Sequence, residues 1–98
     1  MTINKQIDGE KLTVAVAGRL DTTTAPELDE ALKSSIEGIK ELTIDFSELE
    51  YISSAGLRVL LSAQKIMNTQ GSMVVKGSSE VVLEVFEVTG FSDILTIE

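Results

Sequence analysis

The sequence predicts an α/β domain, with helices mainly on one face of a five-stranded, mixed but mostly parallel sheet. Three observations carry this. Strand-like and helix-like segments follow in the order β-β-α-β-α-β-α-β, and strands that alternate with helices are joined by parallel crossovers. The strand-like segments alternate large apolar residues with small or polar ones, as expected when one sheet face is packed and the other partly open. Finally, 98 residues support one modest core, so one domain spanning 1–98 is expected.

Ile3 to Ile7 and Leu12 to Ala17 flank Asp8-Gly9, a dipeptide suited to a tight hairpin. In the second of these, Leu12, Val14 and Val16 alternate with Thr13, Ala15 and Ala17. Leu42, Ile44 and Phe46 alternate with Thr43 and Asp45 in the same way, and Met73–Lys76 and Ile94–Ile97 complete the five strands. The first helix opens at Thr24-Ala25-Pro26-Glu27. There Thr24 is expected to cap the free N–H groups, Pro26 to sit in the first turn and Glu27 to return a bond to the cap. Leu28, Ala31, Leu32 and Ile36 share its inner face, with Gly38 as the stop. A second helix runs from about Ser54 to Gln70, presenting Leu57, Leu60, Leu61, Ile66 and Met67, with Gly71 at its end. The third follows Ser78-Ser79, carries Val81, Val82, Val85 and Phe86, and ends near Gly90.

Composition narrows the function. There is no Cys and no His, which removes disulfides, thiolate chemistry, the commonest metal ligand and the commonest general base. No catalytic residue, metal site or cofactor is expected. The formal net charge is −8. Nucleic acid would be repelled, because its binding rests on neutralising phosphates with Lys and Arg, and anionic membrane surfaces are disfavoured for the same reason. Between Asp21 and Glu50, nine acidic residues stand against Lys33 and Lys40. This stretch is either a solvated face that maintains solubility or a surface that steers a basic protein partner. Met1–Glu10 does not resemble a signal peptide, and no apolar run approaches the roughly 20 residues of a membrane span. A cytoplasmic location is the expectation.

The segment from Asp45 to Arg58 is the most informative. It leaves the carboxyl end of a strand, crosses a short loop and enters a helix, and that edge of the sheet is where α/β proteins place their sites. Ser53 and Ser54 stand at the helix N-terminus. They suit either plain capping or the approach of an anion to free N–H groups. A nucleophilic role for Ser54 lacks a base, and the isolated Gly56 matches no nucleotide fingerprint.

Asp45-Phe46-Ser47 followed by Tyr51-Ile52-Ser53-Ser54-Ala55-Gly56-Leu57 resembles the signature of the STAS domain, the fold of bacterial anti-sigma factor antagonists. Gly18-Arg19-Leu20-Asp21 with Thr24-Ala25, Gly71 with Met73-Val74-Val75, and Thr89-Gly90-Phe91 resemble further stretches of that family. The resemblance implies a partner switch. An antagonist binds an anti-sigma factor that is also a serine kinase, and so releases a sigma factor. Phosphorylation by that kinase ends the binding, and a PP2C-like phosphatase resets the cycle. Many members carry Asp-Ser-[Ser/Thr]-Gly, whose serine after the aspartate is the phosphoacceptor. Laid on this chain, Ser53 takes the aspartate position and Ser54 the acceptor position; the loss of the aspartate leaves two adjacent hydroxyls, with Ser53 as the alternative acceptor. Arg58 stands where many members have Gly.

The interface implied here is Asp21, Thr22 and Thr23 together with Ser53, Ser54, Gly56 and Arg58. Asp21 has an alternative role, bracing its own loop. The alternative function is a STAS subunit that is never phosphorylated, acting as a fixed adaptor on the ATPase of a lipid transporter or within a signalling assembly.

Overall fold

Hydrophobic alternation places β2 (Lys11–Leu20) and β3 (Glu41–Ile52) side by side in parallel at the centre of one sheet. β1 (Thr2–Asp8) pairs antiparallel with β2 on one edge, and β4 (Ser72–Lys76) pairs parallel with β3 on the other. The computed structural model describes all 98 residues. Asp8 pairs with Lys11, so the hairpin turn is Gly9-Glu10, one residue later than expected, with Gly9 at φ +61°.

Register turns the alternation into a core. Leu12, Leu42 and Met73 form one row across three strands, and Val14, Ile44 and Val75 the next, all buried. Over this face pack Leu28 and Leu32 of α1 (Ala25–Lys33), Leu57, Leu60, Ala63 and Met67 of α2 (Ser54–Gln70), and Val82 and Phe86 of α3 (Glu80–Thr89). One cluster joins them all. The opposite face carries Thr13, Ala15, Thr43 and Asp45, half-buried and without a covering helix. α2 and α3 match the sequence reading closely. Ser79 Oγ accepts from Val82 N–H to cap α3, and Gly90 ends it at φ +82°.

Besides the turn, the fold departs from the sequence expectation at four points. The fifth strand is reduced to one parallel bridge, Val75 to Ile97. Phe91–Asp93 form a 3₁₀ turn and Ile94 keeps helical angles, so too little extended chain is left for a ladder. α1 stops at Lys33, well before Gly38. Ser34 to Ile39 instead make successive tight turns, held where the Gln70 side-chain amide donates to Ile36 O (2.8 Å) and Ile39 O (2.7 Å). Ile36 still reaches the core, from outside the helix.

Thr24 occupies the N-cap position of α1 without making a cap bond, and Glu27 returns none. Its hydroxyl is engaged elsewhere, donating to Arg19 O (2.8 Å) and accepting from Asp21 N–H (2.8 Å). Finally, β3 does not end at Phe46 but runs to Ile52. Two register shifts against β2 each insert one extra residue in β3, between Asp45 and Glu48 and between Leu49 and Tyr51. Such bulges change which residue faces inward. Strict alternation after Phe46 would aim the acidic side chains of Glu48 and Glu50 at the core; the bulges instead bury Leu49 and Ile52.

Candidate functional site

The extended β3 delivers the chain directly into α2, and only Ser53 separates them. Ser53 N–H donates to Leu20 O (2.9 Å), which continues the β2–β3 pairing to the last residue before the helix. The carboxyl end of β2, with the Asp21–Thr24 loop after it, is thereby fastened beside the start of α2. Gly56 is buried and faces this seam. A Cβ there would lie 2.7 Å from Leu20 Cγ and 2.9 Å from Ile52 Cγ1, inside van der Waals contact. Its role is therefore close approach of helix to sheet, and it offers no surface of its own.

The two serines differ sharply. Ser53 is at the N-cap position in extended conformation, but its hydroxyl makes no cap bond and is buried without a partner. Ser54, the first helical residue, is exposed. The amides of Ser54, Ala55 and Gly56 precede the first intrahelical bond, Leu57 N–H to Ser53 O, and so point outward unpaired. The first turn of α2 holds no acidic residue, whereas those of α1 and α3 hold Glu27 and Glu80. An anion on Ser54 would meet the positive end of the helix dipole with no carboxylate of its own turn opposing it.

Asp21 braces its loop, the alternative weighed from the sequence. Its Oδ1 accepts from Thr23 N–H (3.0 Å), Thr23 Oγ1 (2.8 Å) and Thr24 N–H (3.2 Å). These bonds, the Thr23 hydroxyl foremost, hold its carboxyl below the usual value of 3.8. Thr22 and Thr23 are left exposed at the tip. Thr22 shares a groove of about 390 Å³ between α1 and α2 with Pro26, Asp29, Ala55, Arg58 and Ser62. The fold thus sets the Asp21 loop beside α2 and gathers Thr22 and Arg58 in one groove, with Ser54 exposed next to it; Ser53 Oγ and Gly56 lie beneath.

Two neighbours were missed in the sequence. Arg19 and Tyr51 are register partners on β2 and β3, with the guanidinium 4.4 Å from the ring centroid and Arg19 Nε 4.0 Å from Asp21 Oδ2. Tyr51 is the chain's one tyrosine, and that was the available signal. Its pairing with Arg19 depends on the bulges.

A second braced carboxylate, Asp45, accepts from Ser47 Oγ and N–H and faces Lys76, and the Ser47 hydroxyl foremost lowers its pKa. Both aspartates are bonded as anions in the folded chain and free in the unfolded one. Their contribution to stability is full above the ordinary value of 3.8 and is lost as pH falls through the lowered folded values. Thermal midpoints should therefore drop steeply below about pH 4 in the parent, and less steeply in Asp21→Asn and Asp45→Asn. Parallel acid profiles in parent and variants would contradict this assignment.

Residues 3–96 match the family model described as Mlab, STAS domain. The anti-sigma-B factor antagonist of Listeria monocytogenes is 38% identical over 98 residues, covering 96% of this chain and 84% of that protein. Among solved structures, an anti-sigma factor antagonist from Mycobacterium paratuberculosis superposes with TM-score 0.89 at 23% identity, over 98% of this chain and 83% of that one. The Bacillus cell fate determinant SpoIIAA in its phosphorylated form superposes with TM-score 0.77 at 15% identity, over 99% and 91% of the two chains.

Proposed function

The chain belongs to the STAS domain family, and from that premise we propose that it is an anti-sigma factor antagonist, a regulatory binding protein rather than an enzyme. In this reading it works in the cytoplasm, binds an anti-sigma factor that is also a serine kinase, and so frees a sigma factor. Phosphorylation of Ser54 by that kinase ends the binding, and a PP2C-like phosphatase restores it. One observation carries the reading: an exposed Ser54 stands at an acid-free helix N-terminus beside a braced loop and a groove, while the neighbouring Ser53 hydroxyl is buried. A kinase can reach the first hydroxyl and not the second.

The binding surface comprises Thr22 and Thr23, Ser54 and Arg58, with Asp21, Ser53 and Gly56 as the frame beneath. Arg19 and Tyr51 extend it, since arginine and aromatic residues are enriched among side chains that dominate interface energy. In the complex, the braced Asp21 loop is presented without further ordering cost, which favours affinity.

Co-purification from the native host identifies the partner, and titration calorimetry with that partner tests the surface. Asp21→Ala removes the carboxylate acceptor of Thr23 N–H and the Thr23 hydroxyl, while Thr24 N–H keeps the backbone carbonyl of residue 21. The loop is freed and must be ordered on binding, so affinity should fall about tenfold. Wild-type affinity in this variant would remove the loop from the interface.

A further inference from the structure

α3 carries a second surface that the switch does not use. At about 100° per residue, Val81, Val85 and Val88 line up as one ridge along the helix, and Glu80, Glu84 and Glu87 as the ridge beside it. Val82 and Phe86, on a third side, hold the helix to the core. Val85, half-buried, packs partly against the same core, but Val81 and Val88 do not. Val88 is 80% exposed and Val81 58% exposed, and valine is a poorer helix former than the alanine, leucine or lysine that an ordinary solvent face would carry. Val81, Glu84, Val85, Val88 and Thr89 line a groove of about 360 Å³. It shares no residue with the groove beside Ser54. No Lys or Arg lies on α3 to neutralise the glutamates.

We propose that this face docks an amphipathic helical segment of another protein, one that sets an apolar ridge on the valines and a Lys or Arg row on Glu80, Glu84 and Glu87. An unpartnered ridge at i, i+4, i+7 spacing fits the mode in which one helix lies along another's groove. The acidic row fixes the sign of the occupant's charge. A second copy of this chain fits poorly. An antiparallel pair of α3 helices on their valines would bring the two glutamate rows together, and a parallel pair would leave each row without a basic partner, since α3 carries no Lys or Arg and the chain's net charge is −8.

The test uses three synthetic helical peptides of about 20 residues, added to the full ¹⁵N-labelled chain and followed by amide shifts. The first has a leucine ridge beside a lysine row, the second the same leucines beside a glutamate row, and the third the lysine row with the leucines replaced by serine. Only the first should bind, moving the amides of Val81–Thr89 and leaving those of Ser54 and Arg58 in place. Val88→Asp and Glu84→Lys should each weaken it about tenfold or more. Both positions are exposed, so both variants should keep the parent's thermal midpoint to within a few degrees, the small loss in Val88→Asp coming from an anion in the last helical turn. Equal binding of the serine peptide would reduce the effect to net charge and overturn the proposal. So would equal binding of the glutamate peptide, or shifts centred away from α3. A dimer in sedimentation that Val88→Asp dissociates would give the face to a second copy instead.

Discussion

The protein phosphorylated on Ser54 is expected to bind its anti-sigma partner at least about a hundredfold more weakly than the unmodified protein, with no fall in its thermal midpoint. The two halves of this expectation have separate causes. A phosphoserine brings about −1.5 to −2 charges to an exposed residue beside the α1–α2 groove. Burying that charge unpaired in an interface costs several kcal/mol, and about 2.8 kcal/mol already corresponds to a hundredfold. Within the free protein the same charge meets three outward amides and no carboxylate of the first turn, which favours it by about 0.3–1 kcal/mol.

Calorimetric titration and thermal unfolding of the stoichiometrically phosphorylated protein measure both halves. Ser54→Ala should bind and accept no phosphate, while Ser54→Asp, with a single charge, should weaken binding less than phosphate does. Peptide mapping that finds the label on Ser53, or label persisting in Ser54→Ala, would falsify the acceptor assignment. A protein that is never phosphorylated in its host, yet is held in a stable assembly, would point to the fixed-adaptor role instead.

Replacing Phe46 by alanine should produce one of the two largest losses of stability in the chain, with Phe86→Ala, about 3–5 kcal/mol. Phe46 is fully buried at the point where β3 leaves strict alternation for its first bulge, and it shares with Phe86 the place of largest side chain in the core. A domain of this length has about 5–15 kcal/mol in total. The midpoint should therefore fall by more than about 12 °C, at 4–8 °C per kcal/mol for a chain of this size. Denaturant unfolding measures the loss directly, and a loss below about 1 kcal/mol would mean that the core closes over the gap, contrary to the dense packing expected of interiors. Since Phe46 lies beneath the sheet edge rather than on it, the fraction that remains folded should bind the partner normally.

The helices were legible where local chemistry acts alone. Ser79 and Gly90 bracket α3 as expected, since a hydroxyl cap and a left-handed glycine are decided within a few residues. α1 was overestimated because Ile36 kept the helical spacing of the apolar face, whereas Gln70, 34 residues away in sequence, captures the carbonyls of the turn that replaces the last helical turn. Thr24 looked like a cap, but in the fold its hydroxyl is satisfied by Arg19 and Asp21. In each miss a distant or non-helical partner outcompeted the local one.

The sequence by itself determined the order of the first seven elements, the apolar faces of β2, of β3 as far as Phe46 and of the helices, the acidic charge and the motif around Ser54, because each is a property of short spacing or of composition. Only the tertiary structure decided that β3 runs to Ile52 through two bulges, that Ser53 Oγ is buried while Ser54 is exposed, that Asp21 is a brace, and that Arg19 stacks on Tyr51. The physical reason is register. Whether a side chain in a strand faces the core or the solvent depends on which residue lies opposite it on the neighbouring strand. Between β2 and β3 that pairing shifts twice in the few residues that lead into the site.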